Sequence, residues 1–162
     1  MQSLRGTLAT GDYSLKGLED VVAIERKSLS DLLACVGRER KRFDREVQRL
    51  LGYSVRAIVV ESTWKEIEAG DWQSKVSKSS ALGSLLGWIA AGVPIVMAGD
   101  RNRAGQFVSR LLYFTARRRY REAKQLLEVQ RLQMVAEHDD LRREAAILGD
   151  EMPYDVNPNN TG

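Results

Sequence analysis

Three side chains near the start of the chain, Asp12, Glu25 and Lys27, have the types and spacing of a centre that hydrolyses phosphodiesters. They lie in "GDYSLKGLEDVVAIERKSLSD", residues 11–31. Residues 21–24 would bury themselves unaided, yet Glu25, Arg26 and Lys27 follow at once as a run of charge, which is costly where a strand enters a core. Counted from the middle of the turn between Leu18 and Glu19, Asp12 and Glu25 are equidistant. A regular hairpin therefore sets them opposite each other, with Cβ atoms roughly 4.5–5.5 Å apart. Glu25 and Lys27 share one strand face and Arg26 takes the other. Two close carboxylates repel unless a proton or a cation separates them. A hard divalent ion, Mg²⁺ or its substitute Mn²⁺, is the natural partner, because it accepts few protein carboxylates together with water and substrate phosphate. The backbone carbonyl of Arg26 is a further candidate metal ligand. Lys27 beside the ion would orient or deprotonate a water and stabilise charge growing on a phosphate. On spacing alone a surface ion pair of Glu25 with Lys27 or Arg26, with Asp12 in a turn after Gly11, stands ahead of the metal centre, because such pairs are common and D…ExK is a short pattern. The longer string changes that weighting.

Around these groups the text predicts short strands at residues 4–9, 12–15 and 21–27, the last two joined by the turn-rich "KGLED". Ser28 reads as an N-cap with Asp31 three residues on. The helix it opens carries Leu29, Leu32, Leu33 and Val36, with a kink expected at Gly37. It resumes with Phe43, Val47, Leu50 and Leu51 on one face and arginines on the other, and Gly52 ends it. "VRAIVVES" is a buried strand closed by Glu61. "TWKEIEAG" is a short helix closed by Gly70, "DWQSKVSK" is a polar loop, residues 79–91 form a helix and 93–98 a buried strand. Strands separated by helices imply parallel pairing in an α/β sandwich, and the early hairpin makes the sheet mixed.

The expected architecture is a mixed sheet flanked by helices, a domain over residues 1–115, with a long helical extension over 116–148 and a disordered tail over 149–162. Residues 102–148 contain no proline. Tyr113, Tyr120, Leu127, Met134, Leu141 and Leu148 recur every seventh residue. The companion positions Ala116, Ala123, Gln130, Glu137 and Glu144 make a poor second stripe. One long helix, partly packed and partly solvated, is the favoured reading. A homodimer or a partner protein held through this helix is the alternative.

Composition narrows the chemistry. With 43% hydrophobic residues the chain holds enough apolar matter for a core, and its net charge of +3 permits a polyanionic partner. Arginine is concentrated in "GRERKRFDREVQR" and "ARRRYR". Cys35 is the only cysteine and His138 the only histidine, so neither an internal disulfide nor a Cys/His zinc site can form. His138 sits in the charged run "AEHDDLRR", which argues against a histidine-dependent triad. Carboxylates, lysine, hydroxyls or an oxygen-held metal remain. The lack of cysteine pairs fits a reducing cytoplasm. "MQSLRGTLATGDYS" has no apolar signal core. Residues 79–99 lack charge, but four glycines and Pro94 interrupt them, so they read as buried helix and strand and not as a membrane span. The expected location is cytoplasmic, on the nucleoid if the source is bacterial or phage.

"GD", then "ERK" and Asp31 three residues after Ser28, resembles the signature of the ERCC4 nuclease family of structure-specific DNA endonucleases. Asp12, Glu25 and Lys27 match the D…(D/E)xK core of the wider restriction-endonuclease-like fold. The resemblance continues through "GRERKRFDREVQRL" and "AIVVES" and, more loosely, "SALGSLLGWIAAGVPIVMAGDR", covering about residues 5–115. It implies metal-dependent hydrolysis of a DNA backbone, often near branches, flaps or forks. The single-domain look suggests a bacterial or phage-type member. Two departures accompany it. Members usually carry an earlier strand ending in a D-x-R-E motif, whereas residues 1–10 hold no acid. Either the start is truncated or the metal site is reduced. No tandem helix-hairpin-helix pattern follows either, so junction preference and dimerisation mode do not transfer.

Other positions have two readings. Asp31 matches the family string and equally suits a cap, and Glu61 could face the same cleft or end in solvent. Arg26, Arg38, Arg40, Lys41, Arg42 and Arg45 follow the site closely and could neutralise phosphates. The interleaved Glu39, Asp44 and Glu46 also suit an ordinary charged helix face. Lys75 and Lys78 flank the loop at Trp72 and could track a DNA backbone. Trp64, Trp72 and Trp88 read as core or rim residues, and Cys35 as inert core.

Overall fold

A run such as "AIVV" is stable as a strand only when both faces are covered, and the chain supplies one apolar layer for each. The computed structural model describes residues 6–150. Their order is β1 (Val22–Ser28), α1 (Leu29–Val36), α2 (Arg40–Leu50), β2 (Val55–Glu61), α3 (Trp64–Ala69), α4 (Lys78–Ala90), β3 (Ile95–Met97) and α5 (Arg101–Asp150). The three strands form one parallel sheet in the order β1-β2-β3, with Glu25 beside Ile58 and Ser28 beside Glu61. This is the expected α/β architecture with its long C-terminal helix. All the sheet's pairings are parallel, and the antiparallel partner expected from the early hairpin is reduced to an isolated bridge between Tyr13 and Ile24.

Alternation along the strands sorts the core. Ala23, Ile58 and Val60 face α1, α2 and α4, where Leu32, Phe43, Val47, Leu85 and Trp88 close one apolar layer. Val22, Ile24 and Val59 face the other way, onto Ala104, Val108 and Leu112, which recur every fourth residue on α5. Burying each large side chain of these layers contributes about 1.5–3 kcal/mol. Phe43 and Trp88 meet edge to face, 4.9 Å between centroids.

Local signals end the elements. Ser28 caps α1, its hydroxyl accepting from the Asp31 amide. Gly37 separates α1 from α2. A Cβ there would lie 3.0 Å from Val76 Cγ2, so the loop before α4 packs closely on this break. Thr63 and Glu66 make a reciprocal capping box on α3.

The early strands are shorter than expected. Residues 6–9 adopt no strand, and the first five residues of the chain lie outside the described region. Residues 12–15 contribute only the Tyr13–Ile24 bridge, because the amides of Asp12 and Tyr13 both donate to the Ile24 carbonyl and the pairing bulges there. β3 likewise spans three residues and not the six expected. The tail expected at 149–162 falls almost wholly outside the described residues.

Contacts divide the chain into a unit ending at Arg117 and another beginning at Arg118. Within the second, helical turns are linked by pairs such as Arg118–Glu122 at 2.8 Å, and Leu126, Leu127, Met134 and Leu141 are exposed. No helix among the described residues is long and apolar enough to cross a membrane.

Candidate active site at the edge of the sheet

β1 is an edge strand, so half of its backbone groups face away from β2. Ile24 and Arg26 present theirs outward, and the segment after Gly11 meets them. Gly11 adopts φ +77° and passes so close to β1 that a Cβ would lie 3.1 Å from Ile24 N and O. Glycine is required there on both counts. The next residue, Asp12, turns its carboxylate onto the edge, where Oδ2 accepts from the Arg26 amide at 2.8 Å. A side-chain oxygen thus replaces the next rung of the hairpin. The Arg26 carbonyl belongs to the same outward-facing peptide edge.

Glu25 and Lys27 point into the layer made by α1 and α2, as strand alternation requires. Their carboxylate and ammonium form a direct ion pair whose side chains are only 4% and 13% exposed. Lys27 Nζ also lies 5.3 Å from the centroid of the Phe43 ring, a cation–π contact. Burial raises the Glu25 carboxyl above its ordinary range. Lys27 opposes that shift, while the charges of Asp12 and Glu46 add to it. For Lys27, burial favours the neutral amine but is outweighed by Glu25, so the ammonium is held above its ordinary range. Lys27 is therefore a fixed cation at neutral pH.

Arg26 takes the opposite face. Its Nε donates to Glu61 Oε1 at 2.7 Å, Nη2 to the Arg101 carbonyl at 2.6 Å and Nη1 to the Tyr13 hydroxyl at 3.4 Å. Burial works against its charge, and the Tyr13 and Glu61 contacts overcome that, shifting the guanidinium upward. Glu61 consequently lies on the other side of the sheet from Glu25 and does not share its cleft. The reason is register: in β2, Val60 and not Glu61 points to the Glu25 side. Asp31 sits on the first turn of α1 and accepts from Ser28 Oγ at 2.7 Å, so the cap holds its carboxylate.

The basic residues are dispersed. Arg38 is exposed, Arg40 reaches Ser84 Oγ at 3.1 Å, and Arg42 is paired with Glu39. Lys41, Arg45, Lys75 and Lys78 are exposed. Trp88 is core, Trp72 half-buried and Trp64 at the rim. Glu46, one charge of an ordinary helix face in the sequence, has a side chain only 13% exposed and its charge is felt by Glu25. The available signal was its position three residues after Phe43 and four before Leu50, both buried.

Among the described residues no three His, Cys, Asp or Glu side chains form a group able to hold a metal ion. The edge instead offers two carboxylates and a carbonyl. Asp12 Oδ2 is engaged by the Arg26 amide and Glu25 Oε1 by the Lys27 ammonium. That all-oxygen set fits Mg²⁺, which takes one or two carboxylates and keeps several waters.

The model of the ERCC4 domain matches residues 2–111. This chain belongs to the ERCC4 domain family. The match spans all eight elements up to the first part of α5, and with it Asp12, Glu25 and Lys27. ERCC4 domains belong to nucleases, typically structure-specific endonucleases, and these typically depend on a divalent metal. No curated protein matches the chain.

Proposed function

We propose that the chain is a metal-dependent DNA endonuclease acting near branches, flaps or forks. The observation that carries this reading is the buried Glu25–Lys27 pair on an edge strand whose next amide is held by the Asp12 carboxylate. Asp12, Glu25 and the Arg26 carbonyl would hold Mg²⁺ or Mn²⁺, which when bound supplies Lewis-acid polarisation of the phosphate and acidifies a water. Lys27, whose ammonium is held above its ordinary range by Glu25, would orient that water and stabilise charge on the phosphate. Its pairing with Glu25 and the Phe43 ring fixes it against thermal wandering. Asp31 and Glu61 support the site indirectly, through the α1 cap and the anchoring of Arg26.

Arg38, Arg40, Lys41, Arg42 and Arg45 would neutralise DNA phosphates beside the site, with Lys75 and Lys78 on the neighbouring loop and helix start. A role in repair or recombination follows from a branched substrate. Assembly through α5, as a homodimer or with another protein, is consistent with the exposed Leu127, Met134 and Leu141 at seven-residue spacing.

A catalytically silent DNA-binding or scaffold relative is the second reading, motivated by residues 1–10, which hold no acid where family members usually carry an acidic motif. Incubation with duplex, flap and fork DNA, in Mg²⁺, Mn²⁺ or EDTA, separates the two. The nuclease reading expects cleavage abolished by EDTA and by Glu25→Gln. The scaffold reading expects salt-sensitive binding with no cleavage.

A further inference from the structure

Beside the candidate site lies a groove of about 1020 Å³ between α1 and the loop that precedes α4. It begins at Ser30, whose hydroxyl is 2.9 Å from that of Ser28, the residue after Lys27. Leu29, Leu33 and Val76 give it an apolar floor. Trp72 forms one wall, its indole fixed by an Nε1–H bond to the Val76 carbonyl at 2.8 Å. Arg38 and Lys75 stand at the rim, and no carboxylate lines the groove.

From this geometry we infer that the groove holds unpaired nucleotides of a DNA strand leaving the cleavage site. The inference rests on the nuclease reading and names what its substrate must present. An apolar floor offers nothing to a duplex, whose bases are stacked inside and whose outer surface is phosphate. An unpaired strand presents base faces, which stack on a fixed aromatic wall, while its phosphates reach the cations at the rim. Charge complementarity selects a polyanion, because both ionised lining groups are cationic. Continuity with Ser28 places the groove where a strand would pass on leaving Glu25 and Lys27.

The test uses the full chain carrying Glu25→Gln to prevent cleavage. It compares binding of a blunt duplex, the same duplex with a single-stranded arm, and the arm alone with 5-iodouracil for photo-cross-linking. Trp72→Ala should weaken the armed duplex roughly 5- to 100-fold, the effect of losing a base–aromatic stack, and leave the blunt duplex within about twofold. Trp72→Phe should restore most of the difference. Lys75→Glu, at an exposed position that does not endanger folding, should weaken the armed duplex and lower its salt slope by about one. Cross-links should fall on residues 29–38 or 72–77. Equal affinity for armed and blunt duplexes, equal losses on both in Trp72→Ala, or cross-links confined to α2 or α5 would overturn the groove while leaving the nuclease intact. A chain that binds no DNA overturns both.

Discussion

Replacing Lys27 by methionine keeps the length of the side chain and removes its charge. Glu25 then remains buried with no cation and with Asp12 and Glu46 nearby. Breaking a buried pair from one side costs about 3–5 kcal/mol if the orphaned charge persists. Glu25 has a cheaper escape, which is to take up a proton. An ordinary carboxyl ionises near pH ~4.3, and protonating one at pH 7 costs about 1.4 kcal/mol per pH unit, hence at most about 3.7 kcal/mol. Burial already raises the Glu25 carboxyl, so the cost lies below that ceiling. We expect Lys27→Met to lose about 2–3.5 kcal/mol at pH 7. The raised folded-state pKa also fixes the pH dependence. The folded variant binds more protons than the unfolded chain above the unfolded pKa, so its stability falls as pH rises through that window until the folded pKa is passed. The penalty relative to the parent should therefore shrink toward pH 4.5. Urea unfolding at pH 4.5, 6 and 7.5 measures it, and Glu25→Gln with Lys27→Met should recover much of the loss. A penalty below about 0.5 kcal/mol and flat with pH would show that the pair is neither buried nor coupled, and would remove the physical basis of the site.

Gly11→Ala should cost about 1–3 kcal/mol in urea unfolding, from positive φ and the contact with Ile24, and should lower any cleavage by displacing Asp12. Wild-type stability and rate would refute the tight approach. Arg26→Ala leaves Glu61 unpartnered and frees the Arg101 carbonyl. A loss of about 1–2 kcal/mol is expected, with faster amide exchange over residues 101–105. Burial pushes the Cys35 thiol up to about 11, so iodoacetamide at pH 8 should modify it slowly in the folded protein and readily in urea. Rapid labelling of the native chain would contradict its burial.

The order of elements was legible because local rules and burial agree from β1 to α4. Ser28, Thr63 and Gly70 carry their cap signals in the text, and "AIVV" has no stable use except as a covered strand. Glu25 and Lys27 share a face because strand periodicity is two, which any sequence states outright. The ERCC4 signature likewise rests on contiguous residues.

What sequence could not decide depends on non-local geometry. Asp12 and Glu25 were expected as opposed positions of a regular hairpin, but the bulge at Ile24 and the close approach of Gly11 turn Asp12 onto the Arg26 amide instead. Glu61 ends a strand in the text, and only the pairing of β1 with β2 reveals that it meets Arg26 on the far face. Glu46 reads as one charge among many until α2 packs against β1. The groove at Trp72 is made by residues some forty positions apart, joined where Gly37 lets Val76 approach. Types and short spacings fix which groups can react. Their burial, pairing and neighbours exist only once distant segments have paid the entropy of coming together.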